Sequence, residues 1–157
     1  MSPTVRLEPM TADQYRTYRR VAERAYADNI VAAGMMPEPE ARQKATDDFD
    51  GQLPDGVDSA GQELWTAMDA GDEVGMLWLG FTEKSDGLHA FGHDFLVTSE
   101  RRRQGYGRAI MTAAEAVCRE RGVVEVGLSV FGFNSGAQAL YAQMGFEVTI
   151  LQMRKRL

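Results

Sequence analysis

Three strand-like runs, "QELWTAMD" (62–69), "EVGMLWLGFTE" (73–83) and "LHAFGHDFLVT" (88–98), are separated only by "AGD" and "KSDG". Gaps this short, rich in Gly and Asp, reverse the chain at once and leave no room for a crossover helix. The middle of the chain is therefore an antiparallel meander, and whatever else forms must cover it. Upstream, residues 4–9 alternate like a short strand, and Thr11 with Gln14 has capping-box spacing. Tyr15, Tyr18, Ala22, Ala25 and Tyr26 recur at helical intervals to about Gly34. Pro37 and Pro39 punctuate, and residues 40–53 predict a second short helix before the turn-rich "PDGVDSAG".

After residue 104 the period becomes helical. Ile110, Ala113, Ala114, Val117 and Cys118 form one apolar stripe opposite Arg108, Thr112, Glu115 and Arg119, with Gly122 just past the end. "VVEVGLSV" (123–130) is valine-rich, which predicts a buried parallel strand. Ser135 and Gln138 repeat the capping-box spacing, Ala139, Leu140 and Met144 supply helix, Gly145 stops it, and "FEVTILQMRKRL" (146–157) predicts one or two closing strands. The order is β-α-α-β-β-β-α-β-α-β(β), an α/β arrangement with a mixed, mostly antiparallel sheet and helices to cover it.

At 157 residues one core is expected, so residues 1–157 are read as a single domain. A lone Cys118, no apolar leader and no run of about 18 apolar residues point to a reducing cytoplasm, with no membrane partner. The net charge of −6 disfavours nucleic acid and anionic lipid and suits cationic or amine partners. No His/Cys cluster has metal-ligand spacing, so no metal is expected.

Against that acidic balance, "ERRRQGYGRAIM" (100–111) packs four arginines around two glycines. A strand, a glycine turn and a helix start near Gly105 bring unpaired amides and a positive dipole end together, a setting for phosphate. Gly105 and Gly107 allow close approach, and Arg102, Arg103 and Arg108 can add charge-assisted contacts. A Walker loop is excluded by spacing and by the missing lysine. A dinucleotide fingerprint would need Gly or Ala where Ile110 stands, although Glu125 falls where a ribose ligand is expected. The third pattern, Arg-x-x-Gly-x-Gly, is met by Arg102, Gly105 and Gly107. Downstream, "NSGAQALYAQMGF" carries Asn134, Ala137, Leu140, Tyr141, Gly145 and Phe146 in the order Asn-x-x-Ala-x-x-Leu-Tyr-x-x-x-Gly-Phe.

These two ordered motifs resemble those of the GCN5-related N-acetyltransferases (GNAT superfamily), and the resemblance extends over nearly the whole chain. It implies a sheet splayed open in the middle, with acetyl-coenzyme A wedged in the gap. It implies a pyrophosphate loop from Arg102, Arg103, Gln104, Gly105, Tyr106, Gly107 and Arg108, and a pantetheine arm along Phe95, Leu96 and Val97 beside a strand bulge. The amide of Leu96 or Val97 would then polarise the thioester carbonyl. Tyr141 matches the general acid that protonates the departing thiolate. Asn134 either lies near the cofactor or simply starts a helix.

An alkylamine of pKa near 10.4 is only roughly one part in two thousand neutral at pH 7, a penalty of about 4.6 kcal/mol, so some group must take its proton. His93 and Asp94 directly precede the expected bulge. His93 can accept a proton and Asp94 can hold an ammonium, but strand neighbours face opposite ways unless a bulge re-aims one. His89 is read as an exposed strand residue, and Trp65 and Trp78 as core. Glu38, Glu40, Asp47, Asp48 and Asp50 are either a solvated face or the border of a cationic acceptor site. The resemblance implies direct acetyl transfer to a primary amine on a small molecule or peptide. The alternative is a noncatalytic acyl-coenzyme A sensor or regulatory subunit. Self-association into a homodimer through the C-terminal strands fits the fold that the resemblance implies.

Overall fold

The structure is a computed structural model and describes residues 2–157. Five strands form one sheet in the order β1 (Arg6–Pro9), β2 (Gln62–Asp69), β3 (Asp72–Lys84), β4 (Gly87–Val97) and β5 (Val123–Leu128). The first four are antiparallel neighbours, while β5 runs parallel to β4. The turn between β2 and β3 is tight because Ala70 and Gly71 both take positive φ (50° and 90°), the geometry that matches strand twist in a two-residue hairpin.

Helices α1 (Ala12–Ala32) and α2 (Glu38–Gln52) cover one face, α3 (Tyr106–Glu120) covers the other, and α4 (Ser135–Gln143) follows β5. The Thr11/Gln14 capping box opens α1. Gly122 and Gly145 follow α3 and α4 with φ of +72° and +90°, the left-handed geometry that ends a helix. Under α3, Leu77, Leu79, Ala90, Tyr106, Ile110 and Ala114 form one buried cluster. Under α1 and α2, Tyr15, Ala22, Phe49, Leu53, Leu64, Met76 and Trp78 form another. The tryptophans are core, with Trp65 and Trp78 both buried.

Four expectations are corrected. Asn134, not Ser135, caps α4: its Oδ1 accepts the Ala137 N–H at 3.2 Å, one position earlier than the spacing suggested. The β5 strand lies at the sheet margin and is only partly buried, because no strand among the described residues pairs with its outer edge. His89 is not exposed, since its side chain retains 11% of its surface between Asp86 (2.9 Å) and Glu125 (3.6 Å). Residues 146–157 form no ladder within this chain; they run past α4 without regular structure, and Arg154 reaches the carbonyls of Ala33 (2.6 Å) and Gly34 (2.8 Å) at the end of α1.

Candidate active site

Two irregularities of β4 make the site. The first is a bulge: Trp78 pairs with Asp94 and Leu79 with Gly92, leaving His93 as the extra residue. The expected bulge beside Phe95, Leu96 and Val97 therefore sits earlier, at His93 itself. An inserted residue breaks strict alternation, so His93 and Asp94, though adjacent, both face α1 and α2. The His93 ring stacks on Trp78 (centroids 4.4 Å, planes 20° apart) and meets the edge of Phe91 at 4.9 Å. Asp94 Oδ2 accepts the Tyr18 hydroxyl from α1 at 2.8 Å.

Burial dominates the electrostatics here. It pushes the His93 imidazole below its usual range, which keeps the ring neutral near pH 7. It pushes the Asp94 carboxyl up, opposed by the Tyr18 hydroxyl and the Phe95 amide. Tyr18 is itself raised well above the ordinary tyrosine value, first by burial and then by Asp94.

The second irregularity is an early end to the β4–β5 ladder. Its last pair is Gly92 with Leu128, so β4 residues 93–97 have no neighbour on that side and the sheet opens there. The Thr98 amide bonds the Val74 carbonyl (2.9 Å), so Leu96 also turns its backbone toward β3, while Phe95 and Val97 turn theirs toward the opening. The Val97 carbonyl accepts the Arg102 Nε at 3.4 Å on that side. Of the two amides considered above, that of Val97 faces the gap.

Tyr141 of α4 overlooks this opening, its ring edge-on to Phe95 at 5.9 Å and tilted against Phe146 at 5.6 Å. Burial, then the Asp94 carboxylate, pushes its hydroxyl pKa up to about 12, so Tyr141 retains its proton throughout the physiological range.

At the outer end of the opening, α3 begins with Gly105 at φ +88°, preceded by Arg103 at φ +62°, an uncommon conformation for a residue with a side chain. The first-turn amides of Tyr106, Gly107 and Arg108 have no helical partner by construction. Arg102 and Arg103 form no salt bridge among the described residues, Arg108 holds only the neutral Gln143 (2.7 Å), and Gln104 caps the Glu100 carbonyl. By contrast, Arg101 is engaged with Asp72 at 2.7 Å. The loop thus offers unneutralised cations and free amides together, a fit to a diphosphate.

One loop side chain serves differently from its motif position. The Tyr106 side chain is buried and donates to Asp69 (2.7 Å), which leaves the loop its backbone alone. Gly107 faces Leu140 of α4, Phe95 and Val97 at ordinary contact distances.

The acidic residues of α2 are mostly committed. Glu38 pairs with Arg42, Asp48 with Lys44 and the Tyr26 hydroxyl, Asp50 with Arg19, and Asp47 accepts from Gln43. Their position is that of an internally paired surface, with Glu40 exposed beside it. Sequence reasoning missed Tyr18 as a site residue. Its helical spacing marked only a core position, and no local signal places it against a residue 76 positions away. Among the described residues, no group of three or more His, Cys, Asp or Glu side chains could hold a metal ion.

An open-centred α/β sheet with an arginine-rich helix start at the gap has the architecture of an acyltransferase. The chain belongs to the acetyltransferase (GNAT) family, whose sequence profile matches residues 21–146. The uncharacterised N-acetyltransferase YycN of Bacillus subtilis is 30% identical over 155 residues, covering 98% of this chain and 99% of YycN. YdgE of the same organism, another uncharacterised N-acetyltransferase, is 30% identical over 156 residues, with 96% and 97% covered. The crystal structure of YycN aligns with a TM-score of 0.94 over 98% of this chain and 99% of that one. The aminoglycoside acetyltransferase meta-AAC0020, at 17% identity and a TM-score of 0.59 over 98% and 96% of the two chains, shares the fold.

Proposed function

We propose that the protein transfers an acetyl group from acetyl-coenzyme A to a primary amine, without an acyl-enzyme. The observation that carries this reading is the opening between β4 and β5, with a protonated Tyr141 on one side, Asp94 and His93 at its inner end, and the arginine-rich start of α3 at its outer end. When bound, acetyl-coenzyme A supplies the activated thioester.

In this reading the loop holds the diphosphate through Arg102, Arg103, Arg108 and the first-turn amides of Tyr106, Gly107 and Arg108, with Gly105 and Gln104 shaping the turn. Phe95, Leu96 and Val97 line the pantetheine path, and the Val97 amide donates to the thioester oxygen. Asn134 contributes by capping α4, which fixes the helix that carries Tyr141. Asp94, the carboxylate that Tyr141 senses, holds the incoming ammonium. His93, kept neutral by burial, receives its proton, and Tyr141 keeps a proton for the leaving sulfur. The bulge supports this division because it puts acceptor and orienting group on one face.

The test is release of free thiol from acetyl-coenzyme A with a panel of small and peptidic amines. Tyr141→Phe should lower kcat about 10²- to 10⁴-fold, the usual worth of a general acid, and leave coenzyme A affinity unchanged. Coenzyme A binding without turnover on any amine would overturn catalysis and leave the sensor role.

A further inference from the structure

Among the described residues, two other than glycine take positive φ: Ala70 at 50° and Arg103 at 62°. One sits in the two-residue turn between β2 and β3, the other in the arginine-glycine loop that opens α3, and these two segments are tied to each other. Tyr106, at the end of the loop, donates its hydroxyl to Asp69 at 2.7 Å. Arg101, at the start of the loop, holds Asp72 at 2.7 Å and lies over the Tyr106 ring, 6.0 Å from its centroid. Residues 102–105 span the interval and include both Arg103 and the left-handed Gly105.

The hairpin has features that its own strands do not explain. Asp69 and Asp72 are direct partners on the rung next to the turn, where like charges weaken a strand pair. Ala70 between them holds a left-handed conformation that suits Asn or Gly. What offsets both lies outside the hairpin: Arg101 neutralises Asp72, and Asp69 receives the hydroxyl of a buried tyrosine. The Asp72 side chain is 68% exposed, so its ion pair contributes little by itself. That leaves Asp69 with Tyr106 as the principal tie. The loop needs one, because a side-chain-bearing residue stays at φ +62° only where its surroundings fix it.

We propose that Asp69 is a positioning residue for the diphosphate loop. Through the Tyr106 hydroxyl, and braced by Arg101 and Asp72, it sets the start of α3 so that the first-turn amides and the loop arginines stay arranged for one diphosphate, without itself touching the ligand. The inference rests on the reading of this loop as a diphosphate site and adds to it a residue 37 positions upstream of Tyr106.

Charge and positioning give opposite signs here. Removing a carboxylate near an anion site tightens binding if Coulomb attraction alone decides, and loosens it if the carboxylate holds the loop. Titration calorimetry with coenzyme A reads the sign. Asp69→Ala is expected to weaken binding about tenfold, the equivalent of one hydrogen bond to a charged group. Tyr106→Phe, which keeps the ring in the core, should weaken it by a similar factor, with the double variant no weaker than either alone. Asp69→Asn keeps an oxygen for the hydroxyl and is expected to restore affinity. Turnover of acetyl-pantetheine, which carries the thioester and no phosphate, should be unchanged in Asp69→Ala, whereas general loosening of the fold would lower it. Coenzyme A binding by Asp69→Ala as tight as the parent's, or tighter, would overturn the inference and leave the diphosphate reading standing. Equal losses on coenzyme A and acetyl-pantetheine, or Asp69→Asn as weak as Asp69→Ala, would do the same. A parent protein that binds no coenzyme A would overturn both.

Discussion

Replacing Tyr18 with phenylalanine removes one oxygen from the inner end of the site, and its consequences follow from a single contact. The Tyr18 hydroxyl donates to Asp94 at 2.8 Å between two partly buried side chains. A hydrogen bond to a charged acceptor contributes about 1.5–3 kcal/mol and one between neutral groups about 0.5–1.5. Tyr18→Phe should therefore cost about 2 kcal/mol while Asp94 is ionised and about 1 kcal/mol once it is protonated. Because the ionised form loses more than the protonated form, removing the Tyr18 donor raises the Asp94 pKa.

The sign follows from proton linkage. Burial already raises the folded Asp94 pKa above 3.8, and loss of the Tyr18 donor raises it further. The stability gap between the two proteins is then full above the variant's folded Asp94 pKa. It shrinks as pH falls through that value and through the parent's, where the variant holds the proton that the parent does not. Urea unfolding at a series of pH values, followed by the fluorescence of buried Trp65 and Trp78, reads the gap directly. A gap that stays constant from neutral to acid pH would refute the reasoning, because Tyr18 would then be supporting packing and not the carboxylate.

Other expectations can be checked separately. Burial holds His93 neutral, so kcat/KM for an amine should fall with acidification only below about 6.5, and His93→Gln should lower the rate and remove that limb. Unfolding should also become easier below the same pH, since the imidazole charges more readily in the unfolded chain; His93→Gln should lose this sensitivity in a pH series of melts. Gly105→Ala forces a side chain into φ +88° with Pro3 Cδ only 3.2 Å from the new carbon. It should cost about 1–2 kcal/mol in thermal unfolding and weaken coenzyme A binding by calorimetry. Ile110→Ala empties a fully buried position under α3 and should cost about 2–5 kcal/mol by denaturant titration.

The meander was legible because its information is local: gaps of three and four residues with Gly and Asp permit one topology, and β2 occupies the predicted residues. Capping at Thr11 and termination at Gly122 and Gly145 are likewise local chemistry. The loop glycines and Tyr141 were found through motif spacing, and the structure brings both to the opening in the sheet. What stayed hidden depends on contacts distant in sequence. The bulge at His93 is set by register against Trp78 and Leu79, which is why alternation alone left the facing of His93 and Asp94 open. Tyr18 reads as one more apolar-face residue until α1 is laid over β4. The acidic run in α2 looked available for a cationic ligand, but Arg42, Gln43 and Lys44 engage it at helical spacing within α2, and Arg19 and Tyr26 engage it from α1. The closing strands failed for a related reason: the apolar pattern of 146–157 is strand-like, but where the segment goes is set by Arg154 bonding the end of α1, far away in sequence, and it pairs with no strand among the described residues.

The early halt of the β4–β5 ladder also bears on how forgiving the molecule is of what it grips. From Gly92 outward, no strand pairing joins β5 to β4 among the described residues, and side chains such as Tyr141 of α4 against Phe95 span the gap. Widening the cleft by a fraction of an ångström therefore stretches soft packing and spares the rigid ladder of β2, β3 and β4. The fold has a built-in compliance along one direction, while the groups on the stiff side keep their alignment.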